Sequence, residues 1–342
     1  MRRGLRALKR VTGLPIATAL GGLLRLSSRR AGLALMYHGI ERTSGYPWEI
    51  LPAHGRTLFE AQLRHLRRRY AVVPAHALLE AVASRRRGER FPVTITFDDD
   101  LPSHAGTAMP LLRREGLTAI FFVSGASLSE PFSFWWERLQ RAVDSGVADS
   151  SLVPTGVGME TDLALAPGSP DVRSLAGAVE RLPALERDRL AEDLAARLGP
   201  DPPDAGMRTA DVRALSEAGF EIGFHTRRHH RLPLLDDSEL SHAMVEGRAE
   251  VAAAAGVALR GIGYPHGKAD ERVASAARAA GFTLGFSVGR AAVHPGTDAL
   301  LIPRIQPTHV SLGHFAVELV AALVRHRTGA RDRCAERPRP DA

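Results

Sequence analysis

The chain has 342 residues, 44% of them hydrophobic, enough for one large domain or two small ones. Its net charge of +7 is concentrated at the start: Arg2, Arg3, Arg6, Lys9, Arg10, Arg25, Arg29 and Arg30 lie within residues 1–31, which hold no acid, so the remainder carries about −1. A near-neutral body excludes a broad nucleic-acid surface, which needs a basic face on the folded domain, and the single cysteine, Cys334, excludes an intrachain disulfide.

Residues 1–31 read as a basic N-terminal extension. The apolar run from Val11 to Leu26 is interrupted by Pro15 and Arg25, no clean small-residue cleavage site follows it, and it falls short of the ~20 residues that a transmembrane helix needs. Leu5, Leu8, Ile16, Leu20, Leu23 and Leu24 fit a helical stripe imperfectly. Three arrangements stay open: a basic amphipathic helix lying on an anionic membrane, a helix packed on the domain, or a disordered arm. The expected location is cytoplasmic, peripheral on the inner face of the membrane in the first arrangement; export stays open.

Gly32 to His38 reads as a first buried strand. Leu58 to Tyr70 and Ala75 to Arg86 read as helices, and Phe91 to Phe97 as a second strand. A helix from Ala105 to Glu115, capped by Gly116, leads to a strand at Thr118 to Val123. Residues 126–206 are an irregular insertion with Gly and Pro clusters, a helix starting at Trp135 and a helix from Val172 to Leu198. Next come a helix from Thr209 to Ala218 with Thr209 as N-cap, a strand at Phe220 to Phe224, and a helix from Ser238 to Ala255. A strand at Arg260 to Tyr264, a helix from Asp270 to Ala280, strands at Phe282 to Ser287 and Leu300 to Ile305, and a helix from Leu312 to Arg327 complete the body. The tail after Gly329 is polar and expected to be disordered. Alternating strands and helices predict an α/β fold with a mostly parallel sheet.

Chemistry-bearing residues follow several of these strands, which points to an α/β barrel. Asp98 and Asp99 close one strand. His225 and His229 follow another at i, i+4 spacing. Two imidazoles and a carboxylate suit Zn²⁺, and also Co²⁺, Fe²⁺ or Ni²⁺, with open positions for water and substrate. With Asp99 on the metal, Asp98 is free to act as a base. Taken singly, each motif also fits a loop cap or a surface ion pair. Tyr264-Pro265-His266-Gly267 is a tight turn that can present a backbone N–H to an oxyanion. The chain has no Gly-x-Ser-x-Gly elbow, and no Gly-rich loop with a lysine to cradle phosphate.

Over about residues 32–315 the chain resembles the polysaccharide deacetylases, carbohydrate esterase family 4, the NodB-homology domain. The family's Thr-Phe-Asp-Asp-Gly is matched by Thr96 to Asp99, its His-(Ser/Thr)-x-x-His by His225 to His229, and the Tyr-Pro-x-Gly of one branch by Tyr264 to Gly267. That branch also begins with a Tyr-His strand, as in Tyr37-His38, and often carries a Trp-Trp-acid stretch, as in Trp135-Trp136-Glu137. The resemblance implies a distorted (β/α) barrel of about seven strands, with a catalytic domain over 32–315 and a helix end and polar tail over 316–342. It implies Asp98 as general base, Asp99, His225 and His229 as metal ligands, and the backbone at His266 as oxyanion donor within a Tyr264–Gly267 substrate turn. It suggests His38 as general acid, with His309 second. Three positions depart from the pattern. Asp100 stands where Gly is usual. Ile262 and Gly263 stand where the base-holding arginine would be, a role that Arg304 can take by pairing with Asp98. His230 stands at a position often occupied by Pro and could be a swapped or additional ligand.

The expected function is metal-dependent removal of N-acetyl groups from a glycan or a lipid-linked sugar, with metal-activated water as nucleophile. Hydrolysis of another amide or ester on the same scaffold, and a degenerate carbohydrate-binding relative, remain as alternatives. The expected partners are the acetylated sugar and, through residues 1–31, an anionic membrane surface; nucleic acid is not expected.

Overall fold

The computed structural model describes residues 2–41, 50–51, 53–149, 165 and 169–325, with residues 2–12 and 170 as backbone. Cys334 and the polar tail lie outside the described residues. The strands are β1 (Leu33–Tyr37), β2 (Gly39–Ile40), β3 (Ala53–His54), β4 (Ala71–Val72), β5 (Pro92–Phe97), β6 (Ile120–Val123), β7 (Glu221–Phe224), β8 (Gly261–Gly263), β9 (Leu284–Val288) and β10 (Ile302–Ile305). The helices are α1 (Arg2–Arg25), α2 (Arg56–Arg69), α3 (Leu78–Ser84), α4 (Met109–Glu115), α5 (Trp135–Asp144), α6 (Pro170–Glu180), α7 (Ala184–Leu198), α8 (Thr209–Glu217), α9 (Asp237–Ala243), α10 (Arg248–Ala255), α11 (Glu271–Ala279) and α12 (Leu312–Val324).

Seven parallel strands close a barrel. β1 pairs with β5 on one side and β10 on the other, and the ring runs β5-β6-β7-β8-β9-β10; β4 adds to β5. Because helices cover the outside and side chains fill the inside, β1, β5 and β6 are buried at every residue and read as apolar runs, interrupted only by Thr94 and Thr96 of β5. Phe97 and Phe121 stack at 4.7 Å between β5 and β6, and Tyr37 joins them at 5.6 Å from Phe97. Inside the barrel, Phe122 occupies the space that side chains on β7 and β8 would need. A Cβ on Gly223 would stand 2.5 Å from the Phe122 ring, and one on Gly263 would stand 2.7 Å from it.

The insertion has its own small core. Trp135, Trp136 and Leu139 of α5 pack with Leu175 and Val179 of α6 and Leu194 of α7. The expected helix over 172–198 is two helices, because Pro183 serves as the N-cap of α7. The expected helix over 238–255 is also two, since Gly247 takes a left-handed φ of 79° between α9 and α10. Arg208, not Thr209, is the N-cap of α8; the Thr209 hydroxyl donates to Leu128 O at 3.2 Å instead. A boundary at 315/316 would cut α12, whose Phe315, Leu319 and Leu323 all belong to the main core.

Of the three arrangements open for the N-terminus, α1 adopts packing on the domain. Gly13 faces Gly313, where a Cβ would sit 3.2 Å from the carbonyl oxygen, and Ala17 packs with Ala316 and Val320. The Arg85 guanidinium ties the segment after α1 down, donating to the carbonyls of Arg25 at 2.9 Å, Ser27 at 3.1 Å and Arg29 at 2.6 Å. Among the described residues no helix is long and apolar enough to cross a membrane.

Substituting Gly223→Ala forces a methyl group against the Phe122 ring. Overpacking of this kind costs about 1–3 kcal/mol, so the denaturant midpoint falls; an unchanged midpoint would show that Phe122 has room to move.

Candidate active site

The loops at the C-terminal ends of the strands are built from strained backbone. Six non-glycine residues have positive φ among the described residues, and five of them, Asp99, Asp100, Thr226, His229 and His266, lie in these loops. Left-handed backbone costs a residue with a Cβ about 1–2 kcal/mol, so its concentration here marks a site held by its surroundings. The turn at Asp99 (φ 81°) and Asp100 (φ 49°) also breaks the strand alternation. Asp98 and Asp99 therefore both face the barrel mouth, where they are 2% and 4% exposed.

His225 follows β7, and its N–H donates to Val123 O at 2.9 Å. Its Nδ1 lies 2.7 Å from Gly263 O, so Nδ1–H donates to that carbonyl and the Nε2 lone pair faces inward. Nε2 of His225 and Nε2 of His229 each lie 3.1 Å from Asp99 Oδ1. One donor atom from each of these three buried residues falls within 4.8 Å of the others, a group that could hold a metal ion. The donor set of two nitrogens and one oxygen, with the His225 tautomer fixed by a backbone carbonyl, fits a divalent transition metal. Burial lowers the His229 pKa to about 3, which keeps that ring neutral as a ligand must be. Burial also opposes charge on His225, but Asp98 and Asp99 outweigh it and raise its pKa, so this position attracts a cation, whether proton or metal. Burial pushes the Asp99 carboxyl up, yet the His225 and His229 imidazoles beside it hold it well below the usual range.

Asp98 faces a different partner. Arg304, fully buried on β10, donates from Nη1 to Asp98 Oδ1 at 2.6 Å and to Thr96 Oγ1 at 3.1 Å. Burial raises the Asp98 pKa, and Arg304 with His225 more than reverses that, so the carboxyl stays ionised. Asp98 Oδ2 is 4.0 Å from His225 Nε2, which places the second carboxylate beside the three-residue group.

These groups open on a cleft of about 460 Å³. His38 lines it, with Nε2 3.7 Å from Asp99 Oδ2. His266 and Gly267 line it as well, whereas Tyr264 and Pro265 do not. The Tyr264 side chain is fully buried, and its hydroxyl donates to Leu300 O at 2.8 Å, anchoring the turn from behind. His309 is not among the cleft-lining residues. His230 is turned away from the three-residue group, with Nε2 3.1 Å from Asp188 Oδ1. Asp100 is turned away too, accepting from Ser124 N at 2.7 Å, Ser124 Oγ at 2.6 Å and Gly125 N at 3.0 Å. The third acid is thus a latch on the loop after β6.

Residues of the insertion form the roof, among them Glu180 and Arg173, which the motifs did not single out. Glu180 of α6 pairs with His266 Nδ1 at 3.2 Å, and the imidazole holds the Glu180 carboxyl down, to about 2. Trp136 lies 4.6 Å from the His229 ring, and Arg173 and Lys268 also line the cleft. Burial pushes the Glu137 carboxyl up to about 8 while it accepts from Phe134 N at 2.8 Å. The sequence signal for this roof was the Trp135-Trp136 pair, at a helix start too apolar for a surface helix.

Comparison with known proteins agrees with this architecture. The profile of the family described as polysaccharide deacetylase matches residues 85–150 and 198–285. A search of curated proteins finds no match. Among solved structures, the deacetylase PplD of Streptococcus pyogenes, in complex with acetate, superposes with a TM-score of 0.55 at 15% identity, covering 86% of this chain and 98% of that one. IcaB from Ammonifex degensii gives a TM-score of 0.53 at 18% identity, covering 84% and 97%. The putative polysaccharide deacetylase BA0330 of Bacillus anthracis gives 0.55 at 13%, covering 85% and 69%. At these identities the structures show a shared fold. The chain belongs to the polysaccharide deacetylase family, hydrolases of carbon–nitrogen bonds other than peptide bonds.

The Arg304–Asp98 pair makes a stability prediction with a definite sign. The folded-state pKa of Asp98 lies below its ordinary value, so the pair stabilises the fold above the ordinary carboxylate range and is lost as pH falls through the folded value. Arg304→Met leaves Asp98 buried without its largest counter-charge, at a cost of about 3–5 kcal/mol near neutral pH. Thermal melts from pH 4 to 8 should show a lower midpoint and loss of stability beginning at higher pH; a variant that melts like the parent would remove the pair from the account.

Proposed function

We propose that this member of the polysaccharide deacetylase family is a metal-dependent hydrolase that removes N-acetyl groups from a glycan or a lipid-linked sugar. The observation that carries the reading is the convergence of Asp99, His225 and His229, with a second, separately held carboxylate, Asp98, beside them. Zn²⁺ is the proposed ion, with Co²⁺, Fe²⁺ or Ni²⁺ suiting the same donors. Bound there, the ion supplies Lewis-acid polarisation of the acetamide carbonyl and acidifies a water molecule.

The chain's own residues account for the proton traffic. Asp98 accepts the proton of the attacking water as its oxygen bonds to the carbonyl carbon. Arg304 keeps Asp98 ionised and fixes one of its oxygens, leaving Oδ2 for this task. The backbone N–H at His266, in the strained turn lining the cleft, is the proposed oxyanion donor. His38, whose Nε2 lies 3.7 Å from Asp99 Oδ2, gives a proton to the amine as the carbon–nitrogen bond breaks, yielding acetate and a free amino sugar. Trp136 and the Glu180–His266 pair close one wall of the cleft against water. The PplD structure contains acetate, which is the acid product expected here.

Two placements favour the catalytic reading over a degenerate binding domain. Asp100 is occupied with Ser124 and Gly125, and Arg304 stands at the base in place of the arginine absent before Tyr264. Purified protein loaded with Zn²⁺ should release acetate from N-acetylated sugars. Formate or another acid from the corresponding substrate, without acetate, would instead select a different amide on the same scaffold. Asp98→Asn should lower kcat by about 10²–10⁴-fold while the protein retains its metal. His38→Ala should likewise cut turnover at constant metal content, and unchanged turnover would end its assignment as the acid.

A further inference from the structure

The outer face of α1 is a surface that the site does not use. Pro15, Ile16, Ala19, Leu20, Leu23 and Leu26 are exposed along it, with the four large side chains 47–66% accessible. Residues 11–24 contain no charged side chain at all. A surface helix of a soluble domain normally turns charged residues outward and apolar ones inward. The inward face carries Gly13, Ala17 and Gly21, small residues that bring α1 close to α12, with Leu14 and Leu24 partly buried beside them, while Ile16, Leu20 and Leu23 stay outside.

Both ends of the strip are basic. Arg2, Arg3, Arg6, Lys9 and Arg10 precede it, Arg25, Arg29 and Arg30 follow it, and no acid occurs in residues 1–31. Beside α1 lies a cavity of about 80 Å³ lined by Arg25, Arg68, Arg69 and Arg90 together with Tyr70 and His65, and no carboxylate lines it. Among the described residues none of these four arginines has an ion-pair partner. Burial, with the charge of Arg69, lowers the His65 pKa to about 4, so at neutral pH the cavity's positive charge is that of the guanidinium groups.

We propose that the protein docks on an anionic lipid bilayer, with the outer face of α1 lying flat in the interface and the arginine-lined cavity receiving a lipid phosphate. An exposed apolar strip with basic ends matches the two components of such a surface, an apolar interior under a layer of negative headgroups. A second copy of the chain fits less well, because its own basic helix ends would face these across the contact with no acid to offset them. The close Gly13–Gly313 approach keeps α1 on the domain while it docks, so the contact is peripheral and not a span. This inference is independent of the reaction proposed above.

The test is co-sedimentation of the full chain with phosphatidylcholine vesicles, with and without phosphatidylglycerol. The parent should pellet with the anionic vesicles, remain free with the neutral ones, and detach as salt is raised. Inorganic phosphate should not displace it, which separates a lipid headgroup from a free anion as the cavity's ligand. Leu20→Asp/Leu23→Asp should weaken binding about tenfold or more at an unchanged thermal midpoint. Arg68→Gln/Arg69→Gln should weaken it less and flatten the salt dependence. Should the double leucine variant fail to fold, Leu23→Ser is read in the same way. A parent that stays free of anionic vesicles overturns the proposal, as does a leucine variant that binds like the parent. So does a dimer that the leucine substitutions dissociate without any vesicle binding, which would assign the face to a second copy.

Discussion

The buried pair between Arg304 and Asp98 is the interaction on which the site depends. Both side chains are out of water, and an isolated carboxylate there would take a proton rather than remain charged. The pair depends on the order of the strands. Arg304 sits on β10 and Asp98 at the end of β5, strands that never touch each other but both flank β1. Strand order therefore does more than bury apolar surface: it delivers the counter-charge that keeps a carboxylate ionised at the mouth.

Around that pair the loops are arranged by strain and by backbone carbonyls. A left-handed turn after β5 brings two successive aspartates to one side, where a straight strand would have separated them. Gly263 O fixes the His225 tautomer, and it can approach because β8 carries glycine where Phe122 occupies the interior. The three-residue group and the interior packing thus meet at Gly263, so a change in one is felt in the other. The insertion supplies the remaining wall, with its own tryptophan core holding α6 over the cleft.

Much of this was legible in the chain. The strands that bear the site are short, largely apolar runs followed at once by Asp98-Asp99 and by His225-x-x-x-His229, so their positions and order could be read directly. The seven-strand barrel followed from the alternation of elements and the family resemblance. What could not be read depends on three-dimensional context. The two-residue strands β2, β3 and β4 are too short to carry a period. The break between α9 and α10 rests on the left-handed conformation of Gly247, a residue that a continuing helix would also tolerate. Tyr264 lies within a motif of the cleft yet points to Leu300, because motif spacing does not state which way a side chain faces. Glu180 and Arg173 carry no local signature, and only the folding of the insertion across the mouth brings them to the cleft.

The most direct test of the account is elemental metal analysis of the purified protein beside Asp99→Ala and His225→Ala. The account predicts about one equivalent of a transition metal in the parent, lost in both variants while their circular dichroism stays that of the parent. A parent that holds no metal even after incubation with Zn²⁺ or Co²⁺ would contradict it, and would leave the three converging side chains as a buried ion-pair cluster in a barrel with another purpose.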